Sequence, residues 1–281
     1  MFEKFRQSWA LMKASAGVLS ADKELLVFPA LSALCCVIVA ATFFVPAAFA
    51  GLFKHFSRDH IDPVLALLGF LFYLVQYFVI IFFNTALVGA AMIRLRGGDP
   101  TVADGFRIAM SKLPAILGYA LISATVGLIL RALQERAGFI GRWVVGLIGA
   151  AWAIATFLVV PVLVNNDVGP VDAVKRSVEL LKKTWGENLV GNVGIGLVFG
   201  LIAFAIVITG AVLIGVASSL QSTPLIVTAI ALVVAGFVVM SLIQAALTGI
   251  YAAAIYRYAE DGEVGAGFDH ALVANAFRVK A

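Results

Sequence analysis

Apolar runs longer than the roughly 20 residues that cross a hydrocarbon core of about 30 Å recur from one end of this chain to the other. Runs of that length predict membrane-spanning helices, and six can be placed: about 25–53, 64–93, 113–133, 143–164, 189–220 and 223–256. The first would be about 43 Å long at 1.5 Å per residue, so it needs tilt or a bend at Pro46. Composition agrees, with 62% hydrophobic and 13% charged residues against roughly 45–50% and about 25% in soluble domains. The expected fold is therefore all-α, a single integral membrane domain over residues 1–281 that leaves no room for a separate soluble enzyme.

The stretch 157–187 sets the local plan. It leaves an apolar run through Pro161, turns at Asn165, Asn166, Asp167, Gly169 and Pro170, and then writes an amphipathic helix. Val171, Val174, Val178, Leu181 and Trp185 recur at three- and four-residue steps, and Asp172, Lys175, Arg176, Glu179, Lys182 and Lys183 fill the other side. This predicts a helix lying on the membrane surface. Residues 2–19 read the same way, with Phe2, Phe5, Trp9, Met12, Ala16 and Leu19 on one stripe. A third segment carries Val102, Phe106, Ala109 and Leu113 at spacings of four, three and four. Glu3 and the periodic aromatic face of the start differ from a cleavable leader, so it reads as mature protein.

Two passages can be overlaid. Residues 84–106 match 244–268 with two residues inserted in the second: an amide, Ala-Leu-x-Gly, basic residues, an acidic glycine turn and Gly-Phe. Residues 172–175 fit the same scheme loosely. Three repeated units of surface helix plus two spans are expected, over 1–98, 99–168 and 169–260, with a short tail at 261–281.

Charge orients the chain. Four Lys/Arg precede the first span, four follow the second, four follow the fourth and three lie in the tail, against five on the other side. The positive-inside rule then places both termini and all three surface helices at the cytoplasmic face.

Polar groups within spans are the first place to seek a site, because burying them unpaired costs several kcal/mol. Tyr73, Tyr77 and Asn84 can share one side of the second span, and Ser241, Gln244, Thr248 and Tyr251 one side of the sixth. They are candidates for a substrate or water path, or for interhelical hydrogen bonds. No Lys, Arg, Asp or Glu falls deep in a span, so an ion-driven mechanism lacks its usual carrier. Gly196 and Gly200 predict close helix packing. Pro161 predicts a kink, or a notch at the carbonyl it frees. Asn165, Asn166 and Asp167 are candidates for a polar site at the cytoplasmic boundary, and helix termination explains them equally well.

Adjacent Cys35 and Cys36 point apart on a helix and predict no disulfide. His55, His60 and His270 make no metal-ligand pattern. Without a nucleophile–base pair, phosphate loop or paired carboxylates, enzyme is the weakest class, and neither a catalytic residue nor a cofactor is expected. The net charge of +4 is explained by the membrane flanks, which argues against nucleic acid as a partner. Anionic lipid headgroups are the expected partners of Trp9, Lys175, Arg176, Lys182, Lys183 and Trp185, with a protein partner or a second copy as further options.

Ser8-Trp9 with Lys13, DKELLVFP at 22–29, Val160-Pro161-Val162-Leu163, Gly169-Pro170 followed by Lys175-Arg176-Ser177, and KKTWGE at 182–187 give a resemblance. The chain resembles a prokaryotic family of uncharacterised membrane proteins, the domain of unknown function six-one-five-nine, over essentially its full length. The resemblance implies a multi-span inner-membrane protein and supplies no functional residues. In architecture alone, the plan is distantly similar to membrane domains found beside glycerophosphodiester phosphodiesterases. The leading expectation is a non-enzymatic protein that organises or engages lipids or partners at the cytoplasmic leaflet. The competing one is a transporter or channel for a small solute or lipid, with a path between spans two, four and six.

Overall fold

A computed structural model describes residues 2–49, 63–183, 185–263, 265 and 268. Ten α-helices occupy the described residues, without a strand. They are α1 (Phe2–Ala21), α2 (Val27–Phe49), α3 (Pro63–Leu95), α4 (Val102–Ser111) and α5 (Leu113–Arg136), then α6 (Phe139–Ala155), α7 (Val159–Asn165), α8 (Pro170–Lys183), α9 (Trp185–Ser219) and α10 (Thr223–Asp261). A 3-10 turn at Lys23–Leu26 leads into α2, whose third residue is Pro29, where a missing N–H costs least. Six stretches among them are long and apolar enough to cross a membrane, the fourth being α6 and α7 together.

Boundaries moved where turn chemistry decided them. The expected turn over 134–142 shrinks to Ala137 and Gly138, because α5 runs on to Arg136 and α6 begins at Phe139. The amphipathic helix is described to Lys183 and α9 from Trp185, the last residue of the predicted stripe, with Thr184 outside the described residues. Between α3 and α4 the chain turns sharply. Gly98 N–H donates to Ile93 O and Gly97 N–H to Arg94 O, with Gly97 at φ +86°, a geometry that a Cβ would strain. Thr101 Oγ1 then accepts from Asp104 N–H at 3.2 Å while Thr101 N–H donates to Asp104 Oδ2 at 3.1 Å, the reciprocal box that starts α4. The Thr101 hydroxyl also donates to Asp104 Oδ2 at 2.6 Å, and this bond, with that from the Thr101 N–H, holds the Asp104 carboxyl below the usual carboxylate range.

Helix length decides where the core sits. α3 has 33 residues and α10 has 39, about 50 and 58 Å, well beyond a 30 Å hydrocarbon layer. The excess is packed. Buried side chains gather in the last third of both, 81–95 and 246–257, together with Phe28, Ala109, Leu158 to Leu163 and Leu180. The first parts of α3 and α10, most of α6 and the middle of α9 expose large apolar side chains such as Val64, Leu147, Phe204 and Val227. One end of the protein is thus a dense body, and the other is a set of helical hairpins presenting an apolar surface suited to lipid.

Small residues seat the body. A Cβ on Gly105 would lie 2.4 Å from the Phe28 ring and 2.8 Å from Ala86 O, and one on Gly249 would lie 2.6 Å from Leu87. Gly196 and Gly200, expected to pack closely, have open space around them; close approach occurs at the buried ends of the helices instead. Gly105→Ala should therefore lower the thermal unfolding temperature in detergent, by the equivalent of about 1–3 kcal/mol of overpacking. Gly200→Ala should leave it unchanged or raise it slightly, since Ala is favoured by about 0.5–1 kcal/mol within a helix. Equal behaviour of the two would contradict the packing described.

Candidate functional site

The fourth span does not kink at Pro161; it breaks before it. Thr156, Phe157 and Leu158 separate α6 from α7, and Pro161 sits in the first turn of α7, where it costs no intrahelical bond. The break exposes backbone groups, and a side chain from α8 meets them. Ser177, wholly buried, donates from Oγ to Ala155 O at 2.7 Å and accepts from Leu158 N–H at 3.1 Å. Thr156 Oγ1 donates back to Trp152 O at 2.8 Å.

α8 crosses the α5–α6 hairpin. A Cβ on Gly118 would touch Pro170 at 2.8 Å, while Ser177 meets Ala155. Counted from the Ala137–Gly138 turn, Gly118 and Ala155 lie at about 29 and 26 Å, so this half of α8 runs across the hairpin at nearly constant height. Its buried side is Ala173, Ser177, Leu180 and Leu181. Val171, assigned by periodicity to the apolar stripe, is 55% exposed. The stripe is turned because the protein, not lipid alone, covers it.

Two of the cationic candidates on α8 are already engaged. Lys175 pairs with Asp172 at 3.0 Å, and Arg176 pairs with Glu179 at 3.2 Å and with Glu260 of α10 at 2.7 Å; these contacts raise Arg176 above its ordinary range. Lys182 is exposed, and Trp9 of α1 is 49% exposed. The side chains of Lys183 and Trp185 lie outside the described residues, as do His55, His60 and His270.

Asn165 and Asn166 act as clamps. Asn165 donates to Pro161 O at 3.0 Å and accepts from Arg96 at 2.8 Å. Asn166 donates to the Tyr256 hydroxyl at 2.7 Å, and its carbonyl accepts from Lys112 Nζ at 3.0 Å. Asp167 is fully exposed, 3.5 Å from the same Lys112. Arg94 pairs with the buried Asp22 at 3.0 Å, whose carboxyl is pushed up by burial against the opposing pull of Arg94. Arg257 binds Leu95 O and Glu263. This polar layer ties α3, α7, α8 and α10 together at the basic end and leaves little of it open to a ligand.

The intramembrane amides lie elsewhere. Asn84 of α3 with Ser241, Gln244 and Thr248 of α10 line one cleft of about 420 Å³, joined by Ser32 of α2 and by Phe157 from the break in the fourth span. Ser241 and Thr248 donate back to Phe237 O at 2.6 Å and to Gln244 O at 2.8 Å. The Asn84 and Gln244 amides have no hydrogen-bond partner among the described residues. Ile80, Ser241 and Ala245 on the rim are exposed, so the mouth opens sideways to where lipid lies. Tyr77 belongs to a different contact: its hydroxyl stands 3.0 Å from the Cβ position of Gly127 on α5. Tyr73 bonds Arg131. Tyr251 is buried, with its ring 6.1 Å from that of Phe157 behind the cleft.

The helix break and its partner Ser177 were missed by periodicity. A lone hydroxyl between Ala173 and Leu180 on an otherwise apolar side, eight residues after a Gly-Pro turn, was the available signal.

A family model described as "Family of unknown function (DUF6159)" matches residues 64–268. The chain belongs to that family. No curated protein matches it.

Ser177→Ala should strand Ala155 O and Leu158 N–H in a dry environment, at about 1–3 kcal/mol. The expected readouts are a lower unfolding temperature in detergent and faster amide exchange at Leu158. Exchange unchanged at that amide would refute the bridging role.

Proposed function

We propose that this member of the DUF6159 family is a non-enzymatic, multi-pass membrane protein that takes a lipid into the cleft between α2, α3 and α10. The observation carrying this is the pair of amides, Asn84 and Gln244, without hydrogen-bond partners among the described residues in a cleft open toward lipid. Unpaired amides in a cleft facing lipid gain by pairing with an amphiphile that brings its own hydrogen-bonding groups. Their depth favours a lipid. Tyr77 lies level with Gly127, about 15 Å from the Ala137–Gly138 turn, and Asn84 is seven residues further, at about 25 Å. In a core of about 30 Å, that is the boundary where acyl chains meet headgroups.

The excess of Lys and Arg at the packed end supports a cytoplasmic body with both termini inside, so the cleft would open to the inner leaflet of a prokaryotic plasma membrane. α8, crossing about 26–29 Å from the opposite turn, would then lie near the inner boundary. Its exposed Lys182 remains available to anionic headgroups.

A second reading, passage of a small solute, is favoured by one observation: Phe157, in the break of the fourth span, lines the same cleft. The lateral mouth supports binding over a through-path.

Ala245→Trp, on the exposed rim, should block the cleft without disturbing the body. Mass spectrometry of lipids carried through purification should show one species reduced by about fivefold or more relative to wild type, a loss of about 1 kcal/mol in retention. An identical lipid profile would sink the binding reading, and specific solute flux in liposomes that Ala245→Trp abolishes would replace it with passage.

A further inference from the structure

We infer that the cleft selects a lipid with an uncharged head, a glycerolipid bearing ester carbonyls and a free hydroxyl but no phosphate; this rests on the lipid-binding reading above. Among the described residues, the walls contain no Lys, Arg, His, Asp or Glu. A phosphate seated there would lose its water without gaining a cation, which is among the costliest transfers available to a ligand.

Nor can a charged group reach past the amides toward the cations of the body. Leu87 lies one turn beyond Asn84 and Ala252 two turns beyond Gln244, and Phe157 joins them on the wall. Leu87 is buried, and Phe157 packs against the buried Tyr251. The end of the cleft facing the body is thus an apolar roof, and Arg94, Arg176 and Arg257 behind it are held by Asp22, Glu260 and Glu263.

The groups that remain define the ligand. The Ser241 and Thr248 protons are directed to their own helix, so the donors facing the cleft are the two amide NH2 groups and the Ser32 hydroxyl, and the acceptors are the two amide oxygens and the three hydroxyl oxygens. A ligand matching them offers carbonyl acceptors and at least one hydroxyl donor. The volume of about 420 Å³ accommodates roughly fourteen water-sized groups. That is enough for a glycerol with its ester groups and the first methylenes, with the chains continuing through the lateral mouth into the bilayer.

The test uses the full chain, delipidated in detergent, with dioleoylglycerol and dioleoylphosphatidylglycerol as probes of equal chain composition. Wild type should bind the uncharged lipid about tenfold more tightly than the phosphate-bearing one. The Asn84→Leu/Gln244→Leu double variant should lose that preference while its unfolding temperature does not fall. If both lipids bind wild type equally and the double variant weakens both alike, the cleft binds lipid but the head-group selection is wrong. If neither lipid binds wild type, or the double variant binds both as wild type does, the lipid-binding reading fails with it. The single variant Asn84→Gln, which keeps the amide, should retain most of the preference; its behaving like the double variant would show a packing effect and overturn the hydrogen-bonding argument.

Discussion

A membrane span that is interrupted leaves carbonyls and N–H groups that lipid cannot satisfy, and here one hydroxyl serves two of them. Ser177 serves both Ala155 O and Leu158 N–H, so the fourth span can turn aside at Thr156 and send α7 into the packed body. The placement of α8 follows from it. To bring Ser177 to the break, α8 must fold back over the α5–α6 hairpin, and doing so brings Arg176 to Glu260 of α10. The same placement brings Pro170 to Gly118. The helix that periodicity reads as a lipid-surface element is also an internal brace, and most of its apolar side is covered by protein.

The break also shapes the cleft. Phe157 exists as a wall residue only because the helix is interrupted there; in a continuous helix it would be placed by the pitch of α6 alone. Its ring rests near Tyr251, on the same α10 that supplies Gln244 and Thr248 to the cleft. The brace at Ser177 and the shape of the cleft are thus two ends of one packing arrangement, passing through Leu158, Phe157 and Tyr251. Gly249 completes it from the other side, since only a residue without a side chain lets Leu87 approach α10 so closely.

Much of this was legible in the sequence where the physics is local. Hydropathy placed six spans, and the three spans bounded by clear polar turns came out within a few residues, as at Leu113 and Thr223. The amides Asn84 and Gln244, singled out because lipid penalises unpaired polar groups, do meet in one cleft. What failed was nonlocal. Gly196 and Gly200 have the spacing of a packing motif, but nothing approaches them, because α9 meets its neighbours elsewhere. Tyr77 lies on the same side of α3 as Asn84 yet faces α5, since a long helix meets different partners along one stripe. The break before Pro161 could not be read from the proline alone: a proline in the first turn of a new helix and a proline kinking an old one look alike until the partner of the freed backbone is known.

Charge separates the two polar regions of the molecule into different kinds of chemistry. At the basic end, ions find ions: Arg94 with Asp22, Lys112 with Asp167, Arg176 with Glu260, Arg257 with Glu263. The first three of these pairs bridge separate elements, and removing one partner of a buried pair costs far more than an exposed one; Asp22 and Arg257 are the buried members. Such a layer holds the ends of long helices in register and has little capacity left for an external anion. One cavity further into the membrane, the polar groups are neutral amides and hydroxyls behind an apolar roof. In the lipid-binding proposal, the group recognised there brings complementary donors and acceptors and no net charge, so the uncharged part of an amphiphile, not its ionic head, is the ligand proposed for the cleft.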